Sequence, residues 1–283
     1  MQEVLAILVL YNCRLNTSET FLSLDRALQY GSEKLDMLVY DNSPVAKYNM
    51  DHFVEGNINI QYISDISNPG VSKAYNVGAI LAREQKKKWI LLLDQDTIFP
   101  NDYICILNNS LNFEPDLIVP SLWNNKNVLL SPCKFVLGRA VGLKKVKPGF
   151  NSIKYRNFLN SGSCISLVTF NQVKGFDEKI PLYYSDFDFF SRLSCNVDVF
   201  YLLDAKCRHD MASSDYSDVD KFEFRFVVYC QGALAMGKTI HLKIVMALYT
   251  ILRGVKVFLK TKDKRFLIIP IKIIYENLFH RCP

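Results

Sequence analysis

Asp94 and Asp96 stand one residue apart directly after an apolar run, in the stretch WILLLDQDTIFP. Carboxylates at this spacing at a strand tip suit two chemistries. The pair can hold a divalent cation against a diphosphate, because Mg2+ and Mn2+ favour oxygen ligands and need only one or two carboxylates beside phosphate oxygens. Alternatively, Asp94 is the nucleophile of a phosphatase. Two further carboxylates, Asp186 and Asp188, open a helical-looking segment in LYYSDFDFFSR, where capping is their plainest use. A histidine, His209, follows a strand-like run in VDVFYLLDAKCRHDMASSD, with Ser213 and Ser214 just beyond it.

These groups need a frame. Residues 4–10, 36–42, 57–63 and 89–96 are apolar runs of strand length, and helix-like segments TSETFLSLDRALQYG and SKAYNVGAILAREQKKK lie between them. Thr17 or Ser18 suits the cap of the first helix, and Gly31 stands where it would stop. Such alternation predicts a largely parallel sheet covered by helices. Ligands of such sheets sit beyond the carboxyl ends of the strands, so Tyr11, Asn12, Asp41, Asn42, Asn68, Asp94 and Asp96 are expected along one rim. The first strand leads into Tyr11-Asn12-Cys13, with no G-x-G-x-x-G loop, which argues against a dinucleotide site. Later, NFLNSGSCISLVTF predicts a Ser-Gly-Ser turn before a strand, and residues 197–215 predict a strand and then a loop carrying His209.

At 283 residues the chain is long enough for one large domain or a domain with an appendage. The eight cysteines form no CxxC pair, so a zinc site is not expected and reduced thiols in a cytosolic protein are. Neither a leader segment nor a bilayer-length apolar run is recognisable. Charge is unevenly spread. Residues 238–283 hold ten Lys/Arg and two Asp/Glu, a balance of +8; the whole chain is +6, so residues 1–237 carry −2.

The ordered set of motifs resembles a known family. A strand followed by Asp-x-Asp also occurs in haloacid-dehalogenase-like phosphatases, where it ends the first strand of the domain; here three strand-like runs come first. LVLYN (8–12), VYDNSP (39–44), SNPGVSKAYNVGA (67–79) and LLLDQD together are similar to the family 2 inverting glycosyltransferases of the GT-A fold. That resemblance covers roughly residues 4–215. It implies an α/β Rossmann-like mixed sheet with helices on both faces, here with a C-terminal helical extension. Residues 1–235 would form the GT-A domain and residues 236–283 a basic amphipathic helical tail.

The resemblance also implies roles. Tyr11, Asn12, Asp41, Asn68, Gly70, Lys73, Asn76, Asp94 and Gln95 would bind a nucleoside-diphosphate sugar. Asp96 would ligate Mg2+ or Mn2+, with Asp94 at the ribose or the metal's water shell and His209 completing the metal site. Asp186 falls at the position of the catalytic base, with Ser185 where the family usually has glutamate. Ser161, Gly162, Ser163, Asp188 and Arg192 would border the acceptor. Glutamine between the two aspartates looks most like bacterial rhamnosyltransferases, which points to dTDP-rhamnose as donor, with a UDP-hexose as the other candidate, for surface-polysaccharide synthesis. The alternative remains a phosphatase with Asp94 as nucleophile.

The tail adds a last expectation. Ile244, Leu248, Ile251, Val255 and Phe258 share one helical face, and Lys243, Arg253, Lys256 and Lys260 lie mainly off it, although Met246, Tyr249 and Val257 interrupt the polar side. A basic amphipathic helix suits an anionic membrane surface; packing on the core or on another subunit is the other reading. The expectation is a cytoplasmic protein, peripheral on the inner face of a bacterial plasma membrane. Its acceptor would be a glycan or a polyprenyl-diphosphate-linked glycan. No nucleic-acid partner is expected, since aromatic and basic residues are not interleaved on an RNA-binding motif.

Overall fold

The computed structural model describes residues 1–136, 139–143, 146–209 and 219–279. Ser213 and Ser214 lie outside the described residues. The strands are β1 (Val4–Leu10), β2 (Leu35–Asp41), β3 (His52–Glu55), β4 (Ile58–Ser64), β5 (Trp89–Leu93), β6 (Thr97–Ile98) and β7 (Leu117–Trp123), followed by β8 (Leu129–Ser131), β9 (Cys133–Val136), β10 (Arg139–Gly142), β11 (Gly149–Ser152), β12 (Ser163–Ser166) and β13 (Val199–His209). The helices are α1 (Glu19–Gly31), α2 (Val71–Glu84), α3 (Tyr103–Leu111), α4 (Leu167–Gln172), α5 (Ser185–Leu193), α6 (Val219–Met236), α7 (Ile240–Thr261) and α8 (Arg265–Phe279).

One mixed sheet runs in the order β11-β13-β7-β12-β5-β1-β2-β4-β3, with β6 paired to β13 and β8 to β7. β1 pairs in parallel with β2 and β5, and β2 with β4, so their polar C-terminal ends share one rim as expected. β12 enters antiparallel between β5 and β7. In β1 every residue is buried because both sheet faces are covered. Val4, Ala6, Leu8 and Leu10 face one core with α1 and α3. Leu5, Ile7 and Val9 face the other with α2, α4 and α5.

Ser18, not Thr17, caps α1, accepting from the Phe21 N–H. The helix closes on a left-handed Ser32 just past Gly31. His209 is the last residue of β13 and not part of the following loop, because β6 pairs there and carries the strand on. The short strands β3 and β8–β11 escape the sequence reading; each spans three or four residues, too few for a period to show.

The helices α6, α7 and α8 pack on one another. Phe222, Phe226, Cys230 and Leu234 of α6 share one apolar cluster with Val257 of α7 and Phe266 and Ile273 of α8. Within α7 the buried residues are Met246, Thr250, Gly254 and Val257. The face read as apolar points outward at Ile244, Leu248, Ile251 and Val255, with Phe258 half-buried, and the residues that interrupted the polar side are the ones that pack. α7 carries two apolar faces, which periodicity alone cannot rank.

Gly254 is where α7 meets α8, and a Cβ there would collide with the Phe266 carbonyl oxygen. Alanine is the better helix former by about 1 kcal/mol, but a backbone carbonyl cannot yield as a side chain can. Gly254→Ala is therefore expected to destabilise the protein by about 1–3 kcal/mol, read as a lower urea midpoint. An unchanged midpoint would mean that the helices separate freely.

Candidate functional site

The Asp94-Gln95-Asp96 turn is held from two sides. From α1, Ser18 Oγ donates to the Gln95 carbonyl at 2.9 Å, and Thr20 Oγ1 accepts the Thr97 N–H at 2.9 Å and lies against the Asp94 carbonyl. From the turn before β12, Ser161 Oγ accepts the Asp94 N–H at 3.2 Å and lies 2.7 Å from Thr97 Oγ1. The Gln95 side chain pairs with Tyr11: its Oε1 accepts the Tyr11 N–H at 2.8 Å and its Nε2 donates to the Tyr11 carbonyl at 3.3 Å. The middle residue of the motif thereby staples the end of β1 to the end of β5.

Asp94 points inward. Its Oδ1 accepts from Tyr75 of α2 at 3.0 Å, and burial raises the carboxyl above its ordinary range, while His209 and the Tyr75 hydroxyl oppose the rise. Asp96 turns toward His209, whose Nδ1 lies 3.6 Å from Asp96 Oδ1 and 2.8 Å from Thr97 Oγ1. Among the described residues, no group of three or more His, Cys, Asp or Glu side chains converges as a metal cage.

Asp186 lies in the first turn of α5, with its Oδ1 accepting the Phe187 N–H at 2.7 Å. Burial pushes its carboxyl up to about 7; that hydrogen bond opposes the shift and the charge of Asp94 adds to it. The structure thus brings the carboxylates at positions 94 and 186 within electrostatic reach of each other. A titratable group raised this far in a cleft marks a functional candidate.

α2 sets their spacing. At its N-terminus Gly70 has φ 92°, and a Cβ there would collide with the Pro181 carbonyl oxygen, which accepts the Val71 N–H at 2.7 Å. Ser72 Oγ donates to the Ile180 carbonyl at 2.5 Å. Asn76 accepts the Phe176 N–H at 2.8 Å and donates to the Phe176 carbonyl and to Glu178, each at 3.0 Å. These three residues clamp the segment leading to Asp186, while Tyr75 on the same helix holds Asp94. Asn68 is left-handed at φ 50°, and hydrogen bonds from Ser67 and Tyr40 hold the Asp65 carboxyl below its ordinary range, with the charge of Lys73 adding to the effect.

At the β1–β2 end, Asp41 is fully buried and accepts from the Ser43 N–H at 2.9 Å and the Tyr62 hydroxyl at 2.6 Å. Ser43 Oγ in turn accepts the Asn12 N–H at 2.8 Å. Tyr11 leaves its ring exposed at the rim. Asn42 Oδ1 is buried without a hydrogen-bond partner, an orphaned acceptor at the strand end.

The residues expected at the acceptor lie deeper. Ser161 and Ser163 are fully buried; Ser163 Oγ donates to the Leu159 carbonyl at 2.8 Å. Gly162 is left-handed, and a Cβ there would press on Pro120 and Phe99. Asp188 is buried and takes Arg192 Nε at 2.8 Å and Lys238 Nζ at 2.5 Å, while Arg192 also donates to the Val173 carbonyl. Sequence reasoning missed Lys238, Tyr75 and the Ser18–Thr20 pair. It also missed Tyr229 of α6, whose hydroxyl lies 2.9 Å from that of Tyr184. Tyr75, Ser18 and Thr20 fell within segments already singled out, and Ser18 was read as a cap, but none signalled a partner.

Comparison with known proteins fits this geometry. Residues 6–130 match the family model described as Glycosyl transferase family 2. Over 99% of the chain the fold is similar to TarS of S. aureus, with a TM-score of 0.53 at 12% identity, covering 50% of that chain. Over 99% it is also similar to GalNAc-T7, solved with UDP, GalNAc and Mn2+, with a TM-score of 0.52 at 13% identity, covering 58% of that chain. The chain therefore spans little more than half the length of these structures. No curated protein sequence is a significant match. At these identities the likeness is one of fold: a GT-A-like mixed α/β sheet with additional C-terminal helices.

The shift at Asp186 has a stability consequence. Its carboxyl is protonated more readily folded than unfolded, so its contribution is fully present below the ordinary value of 3.8 and is lost as pH rises to about 7. Asp186→Asn removes that loss. The substitution should raise Tm progressively between pH 4 and 7, with a constant gain above. A Tm gain independent of pH would mean that the carboxyl titrates normally.

Proposed function

We propose that this protein is an inverting glycosyltransferase, moving a sugar from a nucleoside-diphosphate donor to an acceptor hydroxyl, with Asp186 as the general base. The observation that carries this reading is Asp186 in the first turn of α5, raised to about 7 by burial with the charge of Asp94 adding to the shift. A base poised near working pH is ionised often enough to act and basic enough to take a proton. The family match over residues 6–130 supports the same class.

The donor diphosphate would lie along the rim made by Tyr11, Asn12, Asp41, Asn68, Gly70, Lys73, Asn76, Asp94 and Gln95. The orphaned Asn42 oxygen at the end of β2 offers an acceptor to an N–H or hydroxyl of the donor's nucleoside. The donor set at Asp96 suits an oxygen-seeking cation completed by phosphate oxygens, since one or two protein carboxylates suffice for Mg2+ or Mn2+. If His209 Nδ1–H donates to Thr97, Nε2 carries the lone pair a metal needs. Asp96 and His209 would hold the ion, with Asp94 beside it. When bound, the cation neutralises charge developing on the leaving diphosphate. The acceptor hydroxyl, placed on the opposite face of the sugar, gives its proton to Asp186 as it attacks, and a single displacement inverts the anomeric carbon. Ser161 acts by fixing the Asp94 turn, and Asp188 and Arg192 by holding α5, so that the acceptor meets a rigid base.

The Asp-Gln-Asp form favours dTDP-rhamnose as donor, with a UDP-hexose next, and surface polysaccharide or a polyprenyl-diphosphate-linked glycan as acceptor. Such an acceptor would place the protein in the cytoplasm at the inner face of a bacterial plasma membrane. Among the described residues no helix is long and apolar enough to cross a membrane. Nothing in the site favours the phosphatase: β5 is not the domain's first strand, and the Asp94 carboxylate is part-buried and accepts from the Tyr75 hydroxyl.

The base assignment is tested with Asp186→Asn, which keeps the size and leaves the donor rim intact. Transfer should fall by about 10²–10⁴-fold, with the nucleotide Kd nearly unchanged. Wild-type kcat/KM should climb with pH until the carboxyl is ionised, near 7. Near-normal transfer by the variant would place the base elsewhere. Separately, Asp96→Ala should abolish the Mn2+-dependent part of UDP or dTDP binding measured by calorimetry. Wild-type affinity insensitive to EDTA would remove the metal from the scheme.

A further inference from the structure

The outward face of α7 is apolar along its whole length. Ile244, Leu248, Ile251, Val255 and Leu259 recur at helical spacing and are 38–59% exposed. On α8, Ile268 and Ile271 are each 61% exposed. The opposite face of α7 is already satisfied: Met246 packs with Ala233 and Met236, and Val257 with the α6–α8 cluster. Intramolecular packing therefore does not account for these outward side chains. A continuous apolar face of this kind marks an interaction surface.

Charge says what covers it. Lys256 is exposed on α7, and Lys262 and Lys264 are exposed where α7 turns into α8. Residues 238–283 carry +8 against −2 for the rest of the chain. A second copy of this chain, meeting through the same face, would set these like charges against each other. An anionic sheet of lipid headgroups has the complementary charge, and apolar side chains standing among lysines match the depth profile of its interface.

We propose that the outer face of α7, with the adjoining surface of α8, docks flat on an anionic lipid surface. Ile244, Leu248, Val255 and Leu259 enter the headgroup–acyl boundary, and Lys256, Lys262 and Lys264 contact the phosphates. The helices lie on the membrane without crossing it. The inference stands apart from the catalytic reading, because it uses no residue of the cleft.

The test uses the full chain, since removing residues from 238 onward would also strip Lys238 from Asp188. Sedimentation is measured with vesicles of phosphatidylcholine alone and of phosphatidylcholine mixed with phosphatidylglycerol. Wild type should bind the anionic vesicles, weaken as salt rises, and ignore the neutral ones. Leu248→Ser with Val255→Ser should cut the apparent affinity at least about tenfold, and Lys256→Glu with Lys264→Glu similarly. These side chains are exposed, so Tm should stay at the wild-type value. Absence of wild-type binding, equal binding to both vesicle types, or unaffected variants would each overturn the proposal. So would a dimer in analytical ultracentrifugation that Leu248→Ser with Val255→Ser dissolves.

Discussion

Contact between the backbones at Gly70 and Pro181 determines how wide the cleft can be. α2 enters the molecule at that point, and a side chain as small as a methyl group would hold the 176–184 segment off it. With that approach made, Ser72 and Asn76 fasten the segment along the first turns of α2. Tyr75, on the same helix, reaches the other way to Asp94. One rigid helix thus fixes both carboxylates, which lie far apart in sequence and belong to different halves of the fold. Their closeness has an energetic character: each is desolvated, and the negative charge at 94 makes ionisation at 186 harder. A cleft built this way resists holding two anions while empty, and a cation or an incoming proton relieves it.

Support for α5 comes from outside the sheet. Tyr184, left-handed before the helix, meets Tyr229 of α6, and Gly232 of α6 lets that helix close on the Tyr183 carbonyl. Phe187, next to Asp186, stacks on Phe135 of β9 and borders the seam with α7. Arg139 of β10 sits 4.3 Å over the Tyr249 ring of α7. The C-terminal helices are therefore part of the wall behind Asp186. α6 shares an apolar cluster with α7 and α8.

Much of the first half was legible because its signals are local. Runs such as 4–10 and 89–93 are apolar throughout, as strands covered on both faces must be, and polar residues mark where each ends. The aspartate pair and the segment carrying Asp186 were visible for the same reason. Partners were not legible, since they depend on which elements meet. Asp188 is an ordinary first-turn carboxylate in sequence, and only tertiary packing brings Lys238 to it. Ser161 and Ser163 read as a flexible turn, yet β12 inserts beside β5 and buries both. Within α7, the choice between its apolar faces was made by α6 and α8, whose positions no helical period encodes.

The ion pair between Asp188 and Lys238 also bears on how the molecule is made. The two residues lie 50 positions apart, so a chain leaving the ribosome exposes Asp188 well before Lys238. Until then α5 carries a carboxylate that must be buried with Arg192 as its only ion-pair partner among the described residues, and the wall formed by Tyr229 and Gly232 is missing. A nascent chain would accordingly complete its sheet before it could complete its cleft. The surroundings of Asp186 are then completed late in synthesis, with the arrival of the helices that back α5.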